Sequence, residues 1–362
     1  MDSVDIKDKS VEIHLVGPGF GEALLVIIGR TLAIGIDSCV SLTQQRGKDG
    51  KQSYIESCLG AFTGRLYWIL THYHYDHFQS LSQVLLQFRD RLTQAAFPTD
   101  YTSDDIAFAA MAEEAKYHNS RSSELMNSTK GELSRAKGEY GRIKSLISDR
   151  SFKRKIVRQF EKGEWISLKL KLPSGESIRL QVDLYGIDTS TYYRRFQKAF
   201  TTFLNNGKLS KDGANDGSYV AHIKAGQFEG LFLADAKSAR VSKLLKRMNG
   251  RKNRTSPIDC IKVAHHGSRE GTDKRLLRLC TGGDAQSQKK RLALIAPYKQ
   301  QRLPCDDVIR MLNDSGYEVR QPSTVQVSVD RIATELRSAI RSRVTEAYGA
   351  PEHILKIDDL SI

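Results

Sequence analysis

The run Leu66-Tyr67-Trp68-Ile69-Leu70-Thr71-His72-Tyr73-His74-Tyr75-Asp76-His77 decides how this chain is read. A short apolar segment that ends abruptly in imidazoles and a carboxylate reads as a buried β-strand delivering ligands at its C-terminal end. On extended backbone, side chains two apart point the same way, so His72 and His74 can converge on one metal ion. Asp76 and His77 follow where the chain must turn, and they can address a second ion. Borderline cations such as zinc accept neutral imidazole together with ionised carboxylate near pH 7. A polar loop with chance histidines rarely sets three His and one Asp within residues 72–77, directly behind a strand.

This run resembles the HxHxDH signature of the metallo-β-lactamase superfamily, and further segments resemble that superfamily in the expected order. Val11 to Val16 reads as a strand, Gly17-Pro18-Gly19-Phe20-Gly21 as a turn, and Ala23 to Ile28 as the returning strand. Leu32 to Ile36 then ends in Asp37-Ser38, similar to the family's strand-terminal aspartate. Downstream, Gly230-Leu231-Phe232-Leu233-Ala234-Asp235 resembles the strand that ends in the metal-bridging aspartate, and Ile261 to Ser268 ends in His265-His266-Gly267-Ser268. That ending is most similar to the soluble, ComEC-like nuclease branch related to DNA-uptake proteins.

The resemblance implies an α/β fold, a four-layer αββα metallo-β-lactamase sandwich with a mostly helical insertion. It also implies two divalent ions, Zn2+ or Mn2+, that activate water for hydrolysis. His72 and His74 would hold one ion, Asp76, His77 and His266 the other, and Asp235 would span both. Asp76, His77 and Asp235 are thus the catalytic core, and Asp37 orients the metal-binding loop without touching metal. His265 would ligate, face the substrate, or pack behind the ligands. Ser268 would offer a hydroxyl to an oxyanion or phosphate.

Departures from the family pattern accompany the matches. Ala234 stands where the family has glycine, Phe20 where the ComEC-like branch has an acid, and Leu303 where a histidine is usual. The third histidine motif is missing between His77 and Asp235, because His118 lies in a helical stretch and His222 inside a strand. Asn215-Asp216-Gly217-Ser218 occupies that place. Asp216 reads either as an oxygen ligand favouring manganese or as a turn-former before glycine.

Composition narrows the partner. Lys plus Arg number 56 against 42 Asp plus Glu, a formal +14, and a field of that sign concentrates polyanions. DNA or RNA is therefore the expected partner. The stretch Lys237 to Arg254 lies between Asp235 and the His-His-Gly-Ser ending, so Lys243 and Lys246 are expected to bind substrate on the rim. The same stretch also reads as a solvated amphipathic helix with Val241, Leu244, Leu245 and Met248 buried.

The 362 residues can bury one large core. Residues 1–100 read as the first half of the sandwich, 101–164 as the helical insertion, 165–330 as the second half, and 331–362 as a basic helix and tail. The insertion could be a lid, a nucleic-acid clamp, a hairpin docking a protein partner, or a solvated excursion. Five cysteines without paired spacing point to a reducing, cytoplasmic setting. No apolar run reaches the ~18 residues of a membrane span. The expected activity is nucleic-acid phosphodiester hydrolysis. The alternatives are a cyclic-nucleotide or small phosphoester hydrolase and a catalytically eroded subunit of a larger complex.

Overall fold

The computed structural model describes residues 2–16, 22–38, 54–98, 125–157, 162–186, 217–248, 257–282, 291–298, 302–322 and 354–361. The strands of the first half are β1 (Asp2–Asp5), β2 (Ser10–Val16), β3 (Ala23–Ile28), β4 (Leu32–Ile36), β5 (Arg65–Ile69), β6 (Leu92–Ala96) and β7 (Ile156–Val157). The later strands are β8 (Lys162–Lys171), β9 (Ser177–Tyr185), β10 (Val220–Ala225), β11 (Phe228–Phe232), β12 (Cys260–Lys262), β13 (Arg291–Leu294), β14 (Tyr317–Arg320) and β15 (Ile354–Ser361). The helices are α1 (Tyr54–Ala61), α2 (Tyr75–Phe78), α3 (Leu81–Gln87), α4 (Leu125–Ser148), α5 (Arg150–Lys153), α6 (Ser238–Met248), α7 (Lys274–Thr281) and α8 (Asp306–Asp314).

Two sheets result. One has the order β15-β2-β3-β4-β5-β6-β7, the other β1-β8-β9-β10-β11-β12-β13-β14. The first and last described strands exchange halves: β1 runs beside β8, and β15 edges the first sheet against β2. Residues 354–361, expected as part of the C-terminal tail, thus form an edge strand.

Strands β3, β4 and β5 are near-continuous apolar runs because both of their faces are covered. Between the sheets, Ile13, Leu24, Val26, Ile34 and Ile69 pack against Leu168, Leu180, Val182 and Ile223. On the outer face of the first sheet, Leu66, Trp68 and Leu70 meet Ile55, Leu59, Leu81, Val84 and Leu85. On the outer face of the second, Leu231, Ile261, Val263 and Ala293 meet Val241, Leu245, Leu276 and Leu312. Helix, sheet, sheet, helix: this is the αββα sandwich.

Helix α4 lies within the segment expected as an insertion, and it packs on the first sheet's helical layer through Ala136 and Ile143. Its Tyr140 ring stands edge-on to Tyr73 at 5.7 Å, behind the histidine run. Glu139, buried on the same helix, accepts the Ser82 backbone N–H at 2.7 Å at the start of α3. The helical stretch ends sooner than residue 164, since Ile156–Val157 joins the first sheet and β8 begins at Lys162.

Strands β4 to β7 run parallel, as do β11 to β14. Each parallel set can therefore present loops at its C-terminal ends, and those loops carry the histidine run, Asp37, Asp235 and the His265–Ser268 turn.

Two glycine substitutions test this packing. A Cβ on Gly35 would run into the buried Trp68 ring, whereas one on Gly141 in α4 meets nothing within 4 Å. Gly35→Ala should destabilise by about 1–3 kcal/mol or more through overpacking. Gly141→Ala should stabilise by roughly 0.5–1 kcal/mol through helix propensity. Urea unfolding of both variants reads the two signs.

Candidate metal centre

The histidine run leaves β5 with its alternation intact. His72 is fully buried toward the space between the loops, while Tyr73 and Tyr75 turn the other way into the helical layer. The chain then closes into α2, with His77 N–H donating to the His74 carbonyl at 2.9 Å.

Asp37 fixes this loop from β4. Its Oδ1 accepts the Thr71 backbone N–H at 2.8 Å, and its Oδ2 accepts the Thr71 hydroxyl at 2.7 Å and His77 Nδ1–H at 2.7 Å. A hydroxyl that donates to Asp37 is left to accept, so Thr71 Oγ1 takes Nδ1–H of His72 at 3.0 Å. His266 Nδ1–H donates to the Ala296 carbonyl at 2.8 Å. These three contacts occupy Nδ1 of His72, His77 and His266 and leave Nε2 as the ring atom that would face a cation.

The candidate donor atoms converge. His72 Nε2 and His74 Nδ1 lie 3.0 Å apart. His72 Nε2 is 3.8 Å from Asp235 Oδ2, and His77 Nε2 is 3.7 Å from Asp235 Oδ1. His77 Nε2 is also 3.7 Å from Asp76 Oδ2, the oxygen that lies 3.9 Å from His266 Nε2. His265 Nε2 stands 4.0 Å from Asp235 Oδ2. Donors that bind one ion at ~2.0–2.2 Å are themselves about 3–4 Å apart. His77 Nε2 and Asp235 Oδ1 are buried without a hydrogen-bond partner, which a polar group tolerates when an ion satisfies it. The donor set and its spacing fit divalent metal.

Electrostatics prepares the same set. Burial lowers His74 to about 4 and pushes His72 well below the usual imidazole range, so both are neutral ligands at pH 7. Burial would raise Asp235, but His265, His77 and His72 hold it well below the carboxylate range. Burial would likewise raise Asp76, and His77, His266 and His74 keep it low. Burial alone would lower His77, yet Asp76, Asp37 and Asp235 raise it well above normal. In the metal-free protein, His77 thus carries the proton that balances the surrounding acids; bound metal would displace it.

The backbone is strained here. Asp37 (φ 57), Ala234 (φ 46), His265 (φ 47) and His266 (φ 53) all adopt left-handed conformations. Such residues cluster where a site over-determines the backbone. Ala234, read as a departure from the family's glycine, occupies a conformation in which glycine bears no Cβ penalty. Gly267 (φ 83) is obligatory on space as well, since a Cβ there would lie 2.5 Å from the Pro304 Cβ.

Eight expected residues are thus gathered: Asp37, His72, His74, Asp76, His77, Asp235, His265 and His266. Ser268 sits at the end of the His-His-Gly turn, half-buried, its Oγ accepting the Gly271 N–H at 3.3 Å. Lys243 and Lys246 are exposed on α6, whose Val241 and Leu245 are buried. The start of α6 is tied to the loop beyond Ser268 by the Ser238 N–H donating to Glu270 O at 2.9 Å. His222 is buried on strand β10, with Nε2 2.6 Å from Glu229 Oε1, outside the gathered set. Asp216 and His118 lie outside the described residues.

Sequence reasoning missed Glu22 and Lys262, a buried ion pair through Lys262 Nζ and Glu22 Oε1. Glu22 lies against the centre, its N–H donating to the Asp76 carbonyl at 3.3 Å. Lys262 lies 240 positions from Glu22, so no local pattern signals the pair.

No family model matches the chain, and no curated protein matches it. Among solved structures the chain is similar to CmlA, a diiron beta-hydroxylase from Streptomyces venezuelae. The TM-score is 0.39 and the identity 11%, over 87% of this chain and 53% of that one. A variant of the CmlA beta-hydroxylase gives TM-score 0.40 and 12% identity, over 86% and 52%. The chain spans about half the length of these structures, and a likeness this faint says nothing about the reaction.

Among the described residues, no helix is long and apolar enough to cross a membrane.

Two predictions follow from the site's backbone and protonation. Ala234→Gly should raise the stability of the chelator-treated protein by about 1 kcal/mol, by relieving the left-handed alanine; a loss of stability in urea would contradict the strain. The chelator-treated protein should also lose stability as pH falls from 6.5 toward 4. In that window the unfolded chain's imidazoles take up protons that folded His72 and His74 refuse, so acid favours unfolding. Thermal denaturation across the window reads this, and a flat profile would mean ordinary imidazole pKa values.

Proposed function

We propose that this chain is a metal-dependent hydrolase that cleaves nucleic-acid phosphodiesters with a pair of divalent ions, zinc or manganese. The observation that carries the reading is Asp235, whose two buried oxygens face different imidazoles, Oδ2 toward His72 and Oδ1 toward His77. A carboxylate so placed suits two neighbouring ions. Ions bound there would supply Lewis acidity at a phosphoryl oxygen and lower the pKa of water toward ~7.

The chain's own residues do the rest. Asp37 and the Ala296 carbonyl hold the imidazoles in register, so little reorganisation is required when charge develops. Asp76 and Asp235, ionised at neutral pH, set the negative charge that retains cations. Ser268 supplies a hydroxyl beside the ligand turn for a phosphate oxygen. No covalent nucleophile is required.

The formal +14 supports a polyanionic substrate. So do Lys243 and Lys246, exposed on a helix whose first turn is tied to the loop after Ser268. Retention of every donor except the missing third histidine motif argues against an eroded, non-enzymatic subunit, because decay has no reason to spare buried donors together.

The test incubates zinc- or manganese-loaded protein with single-stranded DNA, duplex DNA, RNA and a chromogenic phosphodiester, beside Asp235→Ala and His74→Ala. Polynucleotide cleavage should fall at least about 10³-fold in either variant, a loss of roughly 4 kcal/mol of transition-state stabilisation. Turnover of the small diester alone would shift the substrate to a nucleotide-sized phosphoester. Unchanged turnover in both variants would end the two-ion reading. Reversing Lys243 and Lys246 to Glu should reduce the slope of log affinity against log salt by up to about 2. An unchanged slope would remove α6 from the binding surface.

A further inference from the structure

We propose that His265 is a ligand of the first ion, completing with His72, His74 and Asp235 the set that the missing third histidine motif leaves short. The inference rests on the two-ion reading and adds an assignment that the neighbouring pair His265-His266 does not disclose by sequence.

The turn geometry separates the two rings. His265 and His266 are consecutive left-handed residues, at φ 47 and φ 53, in a single 3-10 turn before Gly267. Their ring centroids stand 6.1 Å apart with planes inclined at 53°, and their Nε2 atoms face different carboxylates. His266 Nε2 goes to Asp76 Oδ2, at 3.9 Å, on the side of His77. His265 Nε2 goes to Asp235 Oδ2, at 4.0 Å, the same oxygen that His72 Nε2 faces at 3.8 Å. The other oxygen of Asp235 belongs to His77. Two adjacent histidines therefore serve opposite sides of the bridging carboxylate.

The backbone supports this placement. The His265 N–H donates to the Ala234 carbonyl at 2.9 Å, which couples the turn directly to the residue before Asp235. Strain at three linked positions, Ala234, His265 and His266, is what a turn forced to aim two rings at two points would carry. The competing role is a substrate-facing imidazole, since 29% of the His265 side chain remains exposed. An exposed edge suits a ligand that closes a site from the rim equally well.

The test measures metal as well as rate. His265→Asn is the primary variant, because asparagine tolerates the left-handed conformation and lacks the imidazole. His265→Asp offers a replacement donor, and His266→Asn reports on the other ion. Each protein is loaded with zinc, dialysed and assayed for bound metal, with affinities from chelator competition and the visible spectrum of the cobalt(II) form. Wild type should hold two ions. His265→Asn should retain the ion on the His266 side and weaken the other by more than about 100-fold, as loss of a direct donor exceeds a supporting contact. His265→Asp should restore part of that affinity.

Two ions held by His265→Asn with unchanged affinity and an unchanged cobalt spectrum would overturn the assignment and leave His265 facing substrate. Fewer than two ions in wild type would overturn the two-ion reading itself, and the assignment with it. Melting of the chelator-treated variants near the wild-type temperature separates lost ligation from lost fold.

Discussion

The carboxylate of Asp37 is the contact on which the centre depends. It is buried and sits in left-handed backbone at the end of β4. It accepts hydrogen bonds from the Thr71 amide, the Thr71 hydroxyl and His77 Nδ1. The consequences run outward from those bonds. Thr71, committed as a donor, turns its remaining capacity to His72 and fixes that ring. His77, committed at Nδ1, presents Nε2 to Asp76 and Asp235. One acid thereby sets the orientation of imidazoles on both sides of Asp235.

Such an arrangement is costly without a cation. Asp76 and Asp235 are ionised among imidazoles; burial keeps His72 and His74 neutral, while the neighbouring acids raise His77 and His266. A buried charge is stable when paired or metal-bound. A second buried pair, Lys262 with Glu22, adjoins the centre through the Glu22 N–H on the Asp76 carbonyl. Together with the left-handed residues, this describes a site organised in advance of binding: the fold, not the ion, holds the donors in place.

The two sheets bring the donors together by a shared rule. Parallel strands end together, and their loops lie at one end of each sheet. In the first sheet these ends supply Asp37 and the histidine run; in the second they supply Asp235, the His-His turn and the Ala296 carbonyl. The helical layers then stiffen the loops from behind. Tyr73 packs on Tyr140 of α4, and Glu139 of the same helix receives the start of α3. Substitutions in α4 would therefore reach the centre through packing, without any contact to a ligand.

Much of this was legible in the amino-acid sequence. The continuous apolar runs of β3, β4 and β5 announced strands buried on both faces, and His-x-His alternation announced convergent rings. Those are local facts, set by backbone periodicity and by the dislike of apolar side chains for water. Asp37, Asp235 and His266 came at strand ends through the resemblance to metallo-β-lactamase motifs. Other features depend on distance through space, which no local pattern encodes. The pairing of Glu22 with Lys262 joins residues 240 positions apart, and β15 joins β2 from the far end of the chain. The direction of His265 was decided the same way. Sequence put two histidines side by side; only the left-handed turn, tied to Ala234 and set against Pro304, aimed them at different oxygens. Sequence determined which chemistry the chain can hold, and tertiary structure decided which atom faces which, because side-chain direction is fixed by packing from elements remote along the chain.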